Sequence, residues 1–206
     1  MKIVLATHNK DKCLEMMDVL SNFNIELLTL YEFPEIGEII EDGDTLEENA
    51  LIKARTVHEL TKLPALADNT GLEVDALKGA PGVFSARYAG ENCSYSDNVN
   101  KLLKDMKTVS NDKRMAKFRT VMAFVEDEME LIAEDYVQGI ITNVTKGIDG
   151  FGYDPVFYIP EMNKTYAEMS MKEKNQISHR GKALMKMQKL LQGRLPKIFH
   201  QMEDLA

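Results

Sequence analysis

Residues 2–6, KIVLA, form a continuous apolar run that stops at the polar stretch THNKDK, residues 7–12. A strand apolar at every position is buried on both faces, as inside a sheet with parallel neighbours. A helical pattern follows to about Asn22, with Leu14, Met17 and Leu20 at one-face spacing. Strand, polar loop and helix in that order commit the N-terminus to an α/β unit.

The remaining pattern extends that unit. DGDTLEENALIKARTVHELTK (42–62) predicts a second helix with Thr45 as N-cap, Thr45 and Glu48 at capping-box spacing, and a stripe of Leu46, Ala50, Ala54 and Val57. LPALA (63–67) reads as a short buried strand, ended by Asp68, Asn69, Thr70 and Gly71. GAPGVFSARYAG (79–90) is a glycine-rich loop, and Ser96 is expected to cap a helix running to about Met106. Residues 115–142 predict a β-hairpin turning near Glu126–Glu128, with Phe118, Thr120, Met122 and Phe124 alternating along it. A loop and short strand occupy 146–160. One long helix is expected over 170–192, capped by Ser170 and Glu173, with Leu184, Met187 and Leu191 on its apolar face. Parallel-type units first and a hairpin later predict an α/β protein with a mixed sheet. A cleft between two lobes is then a natural ligand site. The 206 residues divide into a single two-lobed domain, 1–192, and a tail, 193–206.

Composition narrows the function. The net charge of −8 argues against a broad nucleic-acid surface, which needs a basic face, but leaves room for a small basic pocket. Cys13 and Cys93 are far apart, and His8, His58, His179 and His200 have no metal-ligand spacing, so neither zinc nor a disulfide framework is indicated. A reduced, cytoplasmic setting is expected. No stretch approaches the ~20 apolar residues that span a bilayer.

Four stretches carry polar residues suited to chemistry. THNKDK lies between a strand and a helix, where backbone N–H groups and the charges of Lys10 and Lys12 favour an anion, although no Walker pattern is present; an ordinary solvated loop reads equally well. In LADNTG, Asp68 could hold Mg²⁺ beside phosphate oxygens and Thr70 could donate to a phosphate; an Asx turn closed by Gly71 fits the same letters. GFGYDP sets Phe151 and Tyr153 beside Asp154, which suits stacking on a base or a packed turn. SHRGKAL carries His179 and Arg180, with Lys174 one to two turns earlier, on a helix face that could include Asn175.

Taken in order, ATHNKDK, TLEENALIKA, LADNTGLEVDALKGAPGVFSARYAG, GFGYDPVF and KTYAEMSMKEKNQISHRGKAL resemble the inosine/xanthosine triphosphate pyrophosphatase family, from about residue 2 to 192. The resemblance implies an elongated mixed sheet with flanking helices, two lobes around a central cleft, and a homodimer. It implies Mg²⁺-dependent hydrolysis of ITP, dITP or XTP to a monophosphate and pyrophosphate; charge and hydropathy predict no nucleic-acid or membrane partner. By the same resemblance Thr7, His8, Asn9, Lys10, Asp11 and Lys12 lie under the triphosphate. Asp68 matches a metal-associated carboxylate, Glu41 is a second metal ligand, and Thr70 contacts substrate. Phe151, Gly152, Tyr153, Asp154, Lys174, His179 and Arg180 match the base-recognition set, with His179 and Arg180 as donors to the 6-oxo group.

Two departures stand out. The family has glycine where His8 and Asp11 stand. It also reads Asp-Asp at 68–69, the second being the proton acceptor for the attacking water and a metal ligand. Asn69 has neither the charge nor the basicity for that role. The expectation is a family member with an intact pocket and impaired turnover; a Maf-like pyrophosphatase with another substrate and a catalytically silent nucleotide-binding protein are the alternatives.

Overall fold

A computed structural model describes residues 1–21, 23 and 25–191. The expected tail, 193–206, lies outside the described residues. Thirteen strands and α-helices follow in chain order: β1 Lys2–Leu5, α1 Lys10–Leu20, β2 Glu26–Thr29, α2 Leu46–Thr61, β3 Ala65–Val74, β4 Pro81–Gly82, α3 Tyr95–Asp105, β5 Met115–Glu126, β6 Met129–Ile141, β7 Phe157–Ile159, β8 Lys164–Thr165, α4 Met171–Ile177 and α5 His179–Leu190.

The eight strands make one mixed sheet in the order β2-β1-β3-β5-β6-β7-β8, with β4 against β3. β1 pairs parallel with β2 and β3; the remaining pairs are antiparallel. Helices flank both faces. On one side α1 and α5 cover Ile3, Leu5, Leu66, Met122 and Phe124. On the other, the α2 stripe Leu46, Ala50, Ala54 and Val57 covers Val4, Ala65, Ala67 and Ala123. A third core at the far end gathers Leu72, Leu102, Phe118, Phe157 and Tyr166 around α3 and the β7 region.

Several expected boundaries move. β3 runs to Val74 instead of stopping at Ala67, so Asp68–Gly71 is mid-strand and not a turn. Full pairing with β5, Ala65↔Val125 through Val74↔Ala116, satisfies its backbone despite the polar side chains. Gly71 serves a close approach: a Cβ there would meet the Gly82 carbonyl oxygen at 2.7 Å. The cap of α3 is Ser94, whose side chain accepts from Asp97 N, and not Ser96. In α1 the buried residues are Cys13, Glu15, Met16 and Leu20, whereas Leu14 is 55% exposed; the helix is turned so that Glu15 faces the site.

The expected terminal helix is two helices. Ser178 is extended (φ −71°, ψ 157°) between α4 and α5 and caps α5 by accepting from Gly181 N at 3.1 Å. His179 and Asn175 therefore do not share one helical face. The junction is tight, because a Cβ on Gly181 would fall 1.9 Å from the Asn175 carbonyl oxygen.

Candidate active site

β1 stops at Leu5, opposite Leu66, and β4 joins β3 only at Leu72. Between those points the β1-side edge of β3 is free of a strand neighbour. A cleft of about 310 Å³ opens there. Because it wraps an edge, side chains from both faces of the sheet reach it: Lys12, Thr70, His179 and Arg180 from the α1/α5 side, Asn69, Lys53 and Glu41 from the α2 side.

Asp68 lies beneath the floor and is fully buried. Its Oδ2 takes Lys12 Nζ at 3.2 Å and Arg180 Nε and Nη2 at 3.1 and 3.0 Å. Burial alone would push the Asp68 carboxyl up, but Lys12, Arg180 and Lys53 hold it well below the usual carboxylate range. Arg180 Nη1 donates to Glu15, which also pairs with Lys174 at 2.8 Å, and Lys174 meets Asp154 at 2.5 Å. Arg180 is thus committed to Asp68, Glu15 and Thr70 instead of standing as a free donor. Lys12, buried beside two other cations, is pushed down to about 8 despite Asp68.

On the α2 side, Lys53 Nζ lies 3.1 Å from Glu41 Oε2 and donates at 3.5 Å to Asn69 Oδ1. Asn69 Nδ2 is buried with no acceptor among the described residues. An amide leaves an N–H unmatched where a carboxylate would offer two acceptors to Lys53.

The N-terminal loop is ordered by its own polar groups. Asn9 caps α1, its Oδ1 accepting from Lys12 N at 3.1 Å, and Thr7 Oγ1 accepts from Asn9 N at 3.2 Å. This cap aims Lys12 at the floor. Thr7, His8 and Asn9 line the cleft. Lys10 instead sits over the Tyr31 ring, 5.4 Å from its centroid, and Asp11 faces Tyr95 OH at 3.5 Å; neither is on the cleft wall.

At the other end, Asp154 Oδ2 accepts from Phe151 N at 2.8 Å and closes the GFGYD loop. Gly150 is required there, since a Cβ would meet Asp154 Oδ2 at 2.2 Å. Phe151 presents its ring to the cleft beside Tyr95, centroids 5.9 Å apart, with Lys174 Nζ 4.6 Å from it. Tyr153 is buried and donates to Ser85 O at 2.9 Å. His179 packs 4.6 Å from the Phe118 ring and hydrogen-bonds through Nδ1 with Thr120 Oγ1 at 2.8 Å. Burial and the nearby charges of Arg180 and Lys174 lower its pKa well below the usual histidine value, so the ring is neutral.

The structure therefore brings most of the sequence-predicted site to one cleft and sets Asp68 under it. Sequence reasoning missed Lys53, Glu15, Thr120 and Tyr95. Lys53 had a signal: it interrupts the apolar face of α2 between Ala50 and Ala54 and is 5% exposed.

The Ham1 family model matches residues 3–190. A protein named dITP/XTP pyrophosphatase from Thermoanaerobacter sp. (strain X514) is 47% identical over 195 residues, spanning 95% of this chain and 98% of that protein. One of the same name from Vibrio cholerae serotype O1 is 46% identical, spanning 93% and 96%. A solved HAM1 protein from Coxiella burnetii superposes with a TM-score of 0.84 at 42% identity, covering 93% of this chain and 98% of that one.

Proposed function

This chain belongs to the Ham1 family, and from that premise we propose that it binds deaminated purine nucleoside triphosphates (ITP, dITP and XTP) and hydrolyses them slowly to monophosphate and pyrophosphate. The observation that carries the reading is the cation set on the cleft wall. Lys12, Lys53 and Arg180 converge around one buried carboxylate, Asp68. Lys53 also pairs with Glu41 and Arg180 with Glu15, so Lys12, which shares Asp68 with Arg180, is the cation least offset and the one suited to meet a phosphate. Phe151 and His179 stand farther along as the apolar and polar walls for a base.

Asp68 holds Lys12 and Arg180 in place; its Oδ2 already carries both. Hydrolysis needs an in-line water, a group to orient or deprotonate it, and cations on the developing charge. Asn69 can orient a water but cannot take its proton.

Glu41 and Asn69 also suit Mg²⁺ brought in with the triphosphate. Their oxygens both face Lys53 Nζ, at 3.1 and 3.5 Å, so a Mg²⁺ between them would take the place of that ammonium. Mg²⁺ takes few protein ligands beside substrate phosphates and water. When bound it would neutralise phosphate charge; Asn69 supplies a neutral oxygen where the family has a carboxylate.

Family membership further supports a homodimer in the cytoplasm. Among the described residues no helix is long and apolar enough to cross a membrane. A nucleotide-binding protein without turnover is the second reading, favoured by the unmatched Asn69 amide. Pyrophosphate release from ITP, XTP, dITP, ATP and GTP, measured beside binding affinity, tests both readings. Binding without release supports the second; a preference for ATP over ITP, dITP and XTP contradicts both.

A further inference from the structure

We propose that Thr120 is a positioning residue that fixes the tautomer of His179, so that His179 presents a bare lone pair at Nε2, and not an N–H, to the purine edge. This rests on the proposed substrate class.

One chain of hydrogen bonds places the protons, starting at Asp68, whose ionised Oδ2 only accepts. Thr70 Oγ1 lies 3.1 Å from it and must donate its single proton there. Thr70 then accepts from both remaining neighbours: Arg180 Nη2 at 3.2 Å, which has only protons to give, and Thr120 Oγ1 at 2.6 Å. Thr120 has now spent its proton on Thr70, so it accepts from His179 Nδ1 at 2.8 Å. The Nδ1 atom therefore carries the hydrogen.

His179 is neutral, because burial and the cations Arg180 and Lys174 oppose a second proton. Its Nε2 is then an acceptor. It has no partner among the described residues, on a ring that lines the cleft. An acceptor rewards a base edge with a ring N–H. All 6-oxopurines carry N1–H beside the C6 oxygen; adenine presents a lone pair at N1 and would meet Nε2 lone pair to lone pair. The contact thus separates adenine from every 6-oxopurine, guanine included, and leaves inosine against guanosine to other groups. It also reverses the donor role that the sequence suggests for this side chain.

The test uses the full chain labelled with ¹⁵N. Two-bond ¹H–¹⁵N correlations report the tautomer of His179, identified by its loss in His179→Gln. Affinities for ITP, GTP and ATP with Mg²⁺ are measured in parallel. The expected result is Nδ1–H in the parent chain. In Thr120→Val the tautomers mix and the ITP-over-ATP preference falls about 10-fold, the scale of one hydrogen bond, while ITP-over-GTP holds. Thr120→Ser, which keeps the hydroxyl, restores both. Nε2–H in the parent chain would overturn the proposal, as would a Thr120→Val protein with unchanged tautomer and ratios. Nδ1–H with no affinity for any 6-oxopurine triphosphate would overturn the substrate reading and not the ring assignment.

Discussion

Asp68 and Asn69 are adjacent in β3 yet serve opposite faces of the sheet: Asp68 pairs with Lys12 of α1 and Arg180 of α5, while Asn69 accepts from Lys53 of α2. The alternation of a strand produces this division. It gives the two positions separate jobs, one holding the cation floor and the other facing the cleft, and the predictions follow those jobs.

Asp68→Asn removes the anion between Lys12 and Arg180 and leaves both cations buried without it. Losing one partner of a buried ion pair costs ~3–5 kcal/mol. The folded pKa of Asp68 is depressed, so its contribution is present above the ordinary carboxylate range and is lost as pH falls below about 4. The variant should show a lower Tm at pH 7 and a shallower loss of Tm from pH 4 downward. Equal Tm values at pH 7 would contradict the proposed floor.

Burial pushes the Lys12 ammonium down to about 8. A bound triphosphate stabilises its charged form and raises that value. Affinity for the triphosphate is then full below pH 8 and declines above it, and binding at pH 8.5 takes up a proton. Calorimetry in two buffers of different ionisation enthalpy measures the uptake. Lys12→Ala should weaken binding, abolish the uptake and leave base preference unchanged. Unchanged affinity at moderate salt would remove Lys12 from the phosphate site.

Gly181→Ala drives a methyl into the Asn175 carbonyl across the α4–α5 junction. The backbone must shift at the turn that carries His179 and Arg180. The expected loss is ~1–3 kcal/mol, the usual scale of overpacking, together with a reduced ITP-over-ATP ratio. A stable variant with the parent ratio would show that the junction does not position His179.

The legibility of the sequence divides along physical lines. Where one residue's role is local, the letters sufficed: Thr45 caps α2 with Glu48, and Leu46, Ala50, Ala54 and Val57 all point into the core. Where a distant partner decides, they did not. Asp68–Gly71 looks like a turn because four polar or small residues follow an apolar run; pairing with β5 on one side and the cleft on the other keep it extended. Leu14 looked like a core residue of α1 by spacing, but Glu15 must reach Arg180 and Lys174, 165 and 159 residues along the chain, and the helix turns accordingly. The break at Ser178 was visible only as a serine three residues before a glycine. Motif order sufficed to name most residues of the candidate cleft, whereas Lys53 and Thr120 required the fold.

In the proposed reading, Asn69 leaves the pocket intact and removes the group that activates water. The most direct measurement is pyrophosphate release from ITP by the parent chain and by Asn69→Asp, with affinity measured on both. The expected result is a gain in kcat of roughly 10²-fold or more, the scale of a general base, with ITP affinity little changed because it rests on Lys12, Lys53 and the α5 turn. The gain should fade at low pH as the new carboxylate takes a proton. Brisk ITP hydrolysis by the parent chain, or an Asn69→Asp variant that binds equally well and turns over no faster, would contradict this role of Asn69.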